Sequence, residues 1–236
     1  MSQSRNPIIV ALDVPHLESA LALVTQLAPV VGAFKVGKEL FVATGPDIVR
    51  RIRDTGASVF LDLKFHDIPN TVAKAVEAAV RLDVQMLTIH TSGGLAMMQA
   101  AQQSAEAAAL RTGKTQPLVL GVTVLTSLNT NDLAEVGVPH DVGNQVERLA
   151  SLAAKAGLGG LVCSPLEIAR LRQILPQSVQ LVTPGIRPAD SKADDQKRTL
   201  TPKEAMTAGA SWLVIGRPIC AAPNPRAAAE AILASL

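Results

Sequence analysis

The chain has 236 residues, of which 48% are hydrophobic and 18% are charged, and its formal net charge is +2. This composition is typical of a globular protein and excludes a disordered chain. The Lys and Arg residues are scattered, and the chain has no Tyr and one Trp, so it lacks the basic surface and aromatic platform of nucleic-acid-binding proteins. No apolar run approaches the roughly 20 residues of a membrane span. We therefore expect neither a nucleic acid nor a membrane as partner.

The N-terminus and the cysteines indicate the compartment. Residues 1–7 are polar and lack the apolar core of a signal peptide. Cys163 and Cys220 lie far apart without Cys-x-x-Cys spacing, so we interpret them as buried small hydrophobic residues. Such cysteines are typical of a reducing compartment and not of a disulfide framework or a metal site. We expect a cytoplasmic protein with no metal ligands.

Short apolar runs alternate eight times with Ala-rich amphipathic stretches, and no change in composition divides the chain. The predicted strands are 8–13, 33–37, 58–64, 86–90, 118–124, 160–164, 180–184 and 212–216. The predicted helices are 17–27, 46–54, 69–82, 95–111, 142–156, 166–175, 202–208 and 225–236. This alternation is typical of parallel strands joined by crossover helices. Eight units of about 30 residues predict one α/β domain over residues 1–236, a single (β/α)8 TIM barrel, with an open doubly wound sheet as the alternative.

Polar residues at the predicted strand ends favour the barrel. They are Asp13, Lys35, Lys64, His90, Thr123, Ser164, Gly185 and Gly216. In a barrel the C-terminal ends of all eight strands meet at one rim, where active sites are built. These residues can therefore surround a single ligand. We assign no catalytic role to His90 or to His66, because a lone His near a strand end is more often structural.

Charged residues interrupt the apolar run of the third predicted strand. Asp62 and Lys64 alternate with Leu61 and Leu63, so regular strand geometry places both on one face with Cα atoms roughly 6.5 Å apart. Asp67 follows, and Pro69 marks the start of a helix. An ammonium group between carboxylates keeps its proton, which makes Lys64 a proton donor and a cation. The alternative is a buried ion pair with Asp67 as a helix cap.

The last two predicted strands each end in a glycine followed closely by an arginine. The segments are Gly185-Ile-Arg187 and Gly216-Arg217. Glycine permits close approach of the backbone, and arginine offers a fork of donors to a phosphate. Barrels often bind phosphate between the loops after strands seven and eight. The two pairs together predict a phosphate site.

Two connections are longer than the rest. Residues 126–141 are rich in Asn, Asp and Pro, with a short helix predicted over 132–136. Residues 187–201 are dense in charge, and such a loop is either a surface excursion or an active-site lid. Its position beside the phosphate candidates favours a lid. At the first two strand ends, Asp13 is either a helix cap paired with Lys35 or part of a functional charge network.

The stretch from Asp62 to Thr71, Asp-Leu-Lys-Phe-His-Asp-Ile-Pro-Asn-Thr, resembles the Asp-x-Lys-x-x-Asp signature of the orotidine 5'-phosphate decarboxylases in its bacterial form. The resemblance extends from Ile8 to the C-terminal helix. It implies loss of carbon dioxide from orotidine 5'-monophosphate to give UMP, the last step of de novo pyrimidine synthesis, without a cofactor. The implied reaction has Lys64 stabilise and then protonate the carbanion at C6 of the pyrimidine ring.

The resemblance also implies roles for individual residues. The implied catalytic residues are Lys64, Asp62, Asp67 and Lys35. The implied substrate-binding residues are Asp13, Lys35, Asp62, Ile68, Thr71, Thr126, Arg187, Gln196, Gly216 and Arg217. Family members are homodimers, and the match implies that Asp67 and Thr71 are contributed across the interface. Gln196, in the charged loop, is implied to bridge the phosphate and the base.

Two alternatives remain at this point. Magnesium-dependent sugar-phosphate enzymes of the same superfamily, such as hexulose phosphate synthase, share Asp-x-Lys-x-x-Asp but lack the Phe-His-Asp-Ile-Pro-Asn spelling and the loop Gln. A barrel that only binds a nucleotide would have a broken constellation, whereas this sequence keeps each of the family positions named above.

Overall fold

The computed structural model describes residues 6–188 and 199–236. Its eight parallel strands pair in chain order, and the eighth pairs with the first to close a barrel. The strands are β1 (Ile8–Ala11), β2 (Ala33–Gly37), β3 (Val59–Phe65), β4 (Met86–His90), β5 (Leu118–Val122), β6 (Gly160–Val162), β7 (Gln180–Thr183) and β8 (Trp212–Ile215). The predicted TIM barrel is confirmed, and the open sheet is excluded. Most predicted strands extend one or two residues beyond the C-terminal ends of the observed strands, because strand pairing stops where the chain turns out over the rim.

Helices cover the outside of the barrel. They are α1 (Leu17–Leu27), α2 (Lys38–Thr44), α3 (Asp47–Asp54), α4 (Pro69–Arg81), α5 (Gly94–Thr112), α6 (Thr130–Glu135), α7 (Val142–Lys155), α8 (Ile168–Ile174), α9 (Pro202–Ala208), α10 (Arg217–Cys220) and α11 (Pro225–Ala234). The short helix predicted in the 126–141 connection is present as α6. The sequence did not indicate α2 or α10. Each is too short for an apolar period, and Leu40 and Ile219 are their only buried residues.

Two apolar layers hold the barrel. One lies between the strands and the helices, where Phe34, Leu61 and Leu87 are fully buried. The other contains Ile9, Phe60 and further side chains that alternate along the strands with the first layer, so it fills the barrel interior. Because the interior is packed, the barrel has no central channel, and a ligand must bind at one of its ends.

β3 is irregular where it pairs with β4. Between two regular pairs, residues 62–64 lie opposite a single β4 residue, Thr88. Lys64 adopts φ 54°, in the left-handed region that side chains rarely enter. This is a bulge, a device that re-aims a side chain. The predicted regular alternation is therefore wrong in this detail, and the strand continues to Phe65.

Backbone hydrogen bonding joins the two ends of the charged connection after β7. Ile186 and Leu200 form a parallel bridge, and the Arg187 amide donates to the Leu200 carbonyl at 3.0 Å. Gln196 and most of the predicted lid lie outside the described residues. Within the described ranges, no helix combines the length and hydrophobicity that a membrane crossing needs.

Candidate active site

Four charged side chains from the first three strands form a row of alternating charge at the rim. Lys35 Nζ lies 2.8 Å from Asp13 Oδ1 and 4.0 Å from Asp62 Oδ2. Lys64 Nζ donates to both carboxylate oxygens of Asp62, at 2.7 and 2.8 Å. The bulge in β3 allows this contact, because it turns Lys64 back toward Asp62. These four predicted site residues are therefore brought together.

The middle of the row is the most shielded from water. The side chains of Lys35 and Asp62 are 12% and 13% exposed, Lys64 is 24% exposed, and Asp13 is 62% exposed. Each buried charge has an opposite partner, which offsets its desolvation. The residue that caps α1 is His16, so Asp13 is not a helix cap. Its ion-pair partner is Lys35, the pairing that the helix-cap alternative included, and Lys35 links it to Asp62.

A cavity of about 190 Å³ opens beside this row. Its lining residues are Lys35, Phe60, Asp62, Lys64, Val122, Val124, Leu125, Thr126, Val162, Cys163, Pro184 and Val214. One side is charged and the opposite side is largely apolar, which suits a flat ring with a few polar groups. Thr126, one of the implied substrate-binding residues, lies on the wall.

The predicted phosphate residues lie at the neighbouring ends of β7 and β8. Gly216 precedes α10, and a Cβ there would stand 3.7 Å from Asp13 Oδ2, which places this strand end beside the charge row. Arg217 is the exposed first residue of α10. Arg187 is half-buried and its Nη1 donates to the Ile186 carbonyl at 3.0 Å. The two arginines thus follow adjacent strands of the barrel.

The second aspartate of the motif lies away from this row. Asp67, Ile68 and Thr71 are exposed, and Asp67 Oδ1 accepts a hydrogen bond from the Ile68 amide at 2.6 Å. Among the described residues Lys64 pairs with Asp62 and not with Asp67. The expectation of a lysine between two carboxylates is therefore not met within one chain, because the backbone turns outward into α4. Ile68 caps that helix, so Asp67 does not.

His90 and the two cysteines have environments that favour their neutral forms. The rings of His66 and His90 lie 5.4 Å apart. Burial lowers the pKa of His90, and the neighbouring charges of His66 and Lys64 lower it further. Burial also raises the pKa of the Cys163 thiol to about 12 and that of Cys220 to about 11. Both cysteines are free; Cys163 is buried as predicted, whereas Cys220 is only half-buried. The described residues contain no cluster of three or more potential metal ligands.

Gly37 is a site residue that the sequence analysis did not identify. A Cβ at this position would lie 3.0 Å from Lys35 Nζ and 3.5 Å from Asp13 Oδ1. The Lys35–Asp13 ion pair therefore occupies the space of the missing side chain. The available signal was its spacing, since Gly37 ends β2 two residues after a rim lysine and shares its face.

We expect Gly37→Ala to lower kcat/KM about tenfold, because the added methyl group displaces Lys35 Nζ by a few tenths of an ångström and small misplacements are costly in active sites. The backbone at Gly37 has φ −89°, which alanine adopts freely, so the melting temperature should change little. Steady-state kinetics and thermal unfolding of the variant test this. An unchanged kcat/KM would show that Lys35 accommodates the added methyl group without loss of function.

Comparison with known proteins places this chain in a family. The model described as Orotidine 5'-phosphate decarboxylase / HUMPS family matches residues 6–232. This description covers decarboxylases and other members together. The names of individual relatives distinguish between the two kinds of member.

Orotidine 5'-phosphate decarboxylase of Pseudomonas syringae pv. syringae (strain B728a) is 55% identical over 236 residues, 100% of both chains. The decarboxylase of Opitutus terrae (strain DSM 11246 / JCM 15787 / PB90-1) is 55% identical over 229 residues, 97% of each chain. The crystal structure of orotidine 5'-phosphate decarboxylase from Lactobacillus acidophilus is similar, with a TM-score of 0.87 and 38% identity over 96% of this chain and 97% of that chain. At this identity and coverage the chain is a carboxy-lyase. It belongs to the orotidine 5'-phosphate decarboxylase / HUMPS family.

Proposed function

We propose that this protein converts orotidine 5'-monophosphate to UMP and carbon dioxide, the last step of de novo pyrimidine biosynthesis. The observation that carries the proposal is the Lys64 ammonium, which Asp62 holds by two hydrogen bonds at the wall of a cavity. Full-length relatives at 55% identity bear the name of this enzyme. One catalytic barrel over residues 1–236 would carry out the reaction.

Lys64 supplies the chemistry. The bond between C6 and the carboxylate breaks, carbon dioxide leaves, and the electron pair remains on C6. The ammonium stabilises this developing negative charge and then transfers a proton to C6, after which water reprotonates the amine. A fixed cation in a shielded site acts strongly because it needs no reorganisation during the reaction. No organic cofactor or metal takes part in this scheme.

Asp62, Lys35 and Asp13 organise that cation. Asp62 orients Lys64, and Lys35 balances the charge of Asp62 from the other side, at 4.0 Å. Asp13 fixes Lys35 in turn. In this proposal Asp13 and Lys35 also bind the ribose hydroxyl groups, because they lie between the cavity and the end of β8.

The phosphate and the base bind to the remaining rim residues. Arg187, Arg217 and the backbone at Gly216 take the phosphate, since guanidinium groups and close backbone approach suit its oxygens. Gln196 bridges phosphate and base from the charged loop, and Thr126 contacts the base. These contacts are remote from the bond that breaks, but their binding energy can organise the site for the transition state.

We also propose that the enzyme is a cytoplasmic homodimer whose sites are completed across the interface. Asp67 and Thr71 are exposed and lie outside the charge row of Asp13, Lys35, Asp62 and Lys64, and the neighbouring Ile68 is 66% exposed. A second copy would bring Asp67, Ile68 and Thr71 to its partner's Lys64.

Turnover of orotidine 5'-monophosphate by EDTA-treated protein tests the proposed function. We expect UMP and carbon dioxide in equal amounts, at a rate that added magnesium does not change. A parallel assay with magnesium and a hexulose phosphate should show no reaction. Turnover of the sugar phosphate in place of the nucleotide would move the protein to the sugar-phosphate branch of the superfamily.

A further inference from the structure

We propose that Thr88 is a positioning residue that sets the direction of the Lys64 ammonium through a single hydroxyl group. This inference deepens the proposed function and rests on it for its kinetic readout. Thr88 lies on β4 and is fully buried. It does not line the cavity, so it acts through Asp62 and Lys64 and not on the substrate.

The Thr88 hydroxyl joins the two ends of the catalytic pair. Its oxygen accepts a hydrogen bond from the Lys64 backbone amide at 2.9 Å. Its proton is donated to Asp62 Oδ1, with the two oxygens 3.0 Å apart. Asp62 in turn holds Lys64 Nζ. The three residues therefore close a ring that runs from the Lys64 backbone to the tip of its own side chain.

The chemistry of the partners fixes the direction of each bond in this ring. A backbone amide can only donate, and an ionised carboxylate can only accept. The one hydroxyl proton of Thr88 must therefore point to Asp62. A side chain that lacks either a donor or an acceptor, such as valine, cannot make both contacts at once.

The bulge in β3 explains why such a group is needed. Three residues, 62–64, lie opposite Thr88, so the regular ladder cannot serve every amide of this segment. The hydroxyl accepts the Lys64 amide in place of a strand carbonyl. It thereby holds Lys64 at φ 54°, the conformation that turns its side chain toward Asp62.

Loss of the hydroxyl should affect the chemical step more than substrate binding. Without it, the Lys64 amide and Asp62 Oδ1 each lose a partner, and the ammonium is free to shift. The residues proposed to bind phosphate follow β7 and β8, which are not neighbours of β4 in the barrel. Their contacts remain, so KM should stay near its normal value while kcat falls.

Thr88→Val removes the hydroxyl at nearly constant volume, and Thr88→Ser keeps it. We expect Thr88→Val to lower kcat about 10- to 100-fold with KM within about twofold, as for a misplaced catalytic group. Thr88→Ser should restore kcat to within about threefold of the wild type, because its hydroxyl can make both contacts. Thr183→Val is the matched control, because it removes another fully buried threonine hydroxyl, on β7, and should leave kcat unchanged.

Crystal structures of the Thr88→Val and wild-type proteins provide a readout that is independent of activity. We expect Lys64 Nζ to move away from Asp62, or the Lys64 backbone to leave the left-handed region. An unchanged Lys64 together with unchanged kcat would overturn the positioning role, as would equal losses in Thr88→Val and Thr88→Ser. If the wild type fails to decarboxylate orotidine 5'-monophosphate, the proposed function fails, and the two structures alone still decide the role of Thr88.

Discussion

Lys64→Ala should lower kcat by a factor of about 10⁴ or more, because it removes both the fixed cation and the proton donor, and each is worth at least about 10² in rate. Lys64 is the cation that Asp62 directs at the cavity wall. Removal also leaves Asp62, 13% exposed, with Lys35 at 4.0 Å as its nearest cation among the described residues. The rate of loss of substrate absorbance measures the effect.

Two further variants are controls for the Lys64→Ala result. Lys38→Ala removes an exposed lysine at the start of α2 and should leave kcat unchanged. Lys64→Arg keeps a positive charge but replaces a compact ammonium by a planar group that does not release its proton, so it should remain severely impaired. Near-normal turnover by folded Lys64→Ala protein would contradict the assigned role of this lysine.

Mixing two inactive variants should restore activity if Asp67 serves the partner's site. In a heterodimer of Lys64→Ala and Asp67→Ala chains, one site has both defects and the other has none. Random exchange of equal amounts gives about half heterodimers, so about a quarter of the native number of sites should reappear, as isologous two-fold symmetry requires. The measurement is kcat per subunit before and after mixing under conditions that permit subunit exchange.

A second mixture is the control for recovery of activity that does not depend on a site shared between two chains. Asp62 and Lys64 are paired within one chain, at 2.7 Å, so Asp62→Ala and Lys64→Ala chains cannot form a native site together. That mixture should stay inactive. No recovery in the Asp67→Ala mixture, with subunit exchange demonstrated by a labelled chain, would place Asp67 outside the shared site.

The barrel was predictable because its signals are local and repeated. Each β-branched run is followed by a helix pattern, and eight such units leave few alternatives. The rim positions of Asp13, Lys35 and Lys64 followed from the strand ends. The pairing of Asp62 with Lys64 was also predicted, although for the wrong geometric reason.

The remaining features depend on contacts between distant parts of the chain. Nothing in the third apolar run indicates a bulge, because Lys64 owes its left-handed backbone to Thr88, 24 residues away. The closeness of Gly37 to Lys35 Nζ likewise depends on how Asp13 holds that lysine. The sequence motif predicted Asp67 as a third member of the charge row, but the backbone turns outward into α4 and leaves Asp67 exposed. The resemblance to the decarboxylases, and not periodicity, supplied its expected role across an interface.

The most direct test of the central claim, that Lys64 delivers a proton to C6, is hydrogen exchange at C6 of UMP in D₂O. The wild-type enzyme should form UMP with one deuterium at C6 and should slowly exchange the C6 hydrogen of added UMP, since the reverse reaction passes through the same carbanion. Folded Lys64→Ala protein that still binds UMP should exchange this hydrogen at least about 10²-fold more slowly, the usual contribution of a general acid. Exchange at the wild-type rate would show that another group carries the proton.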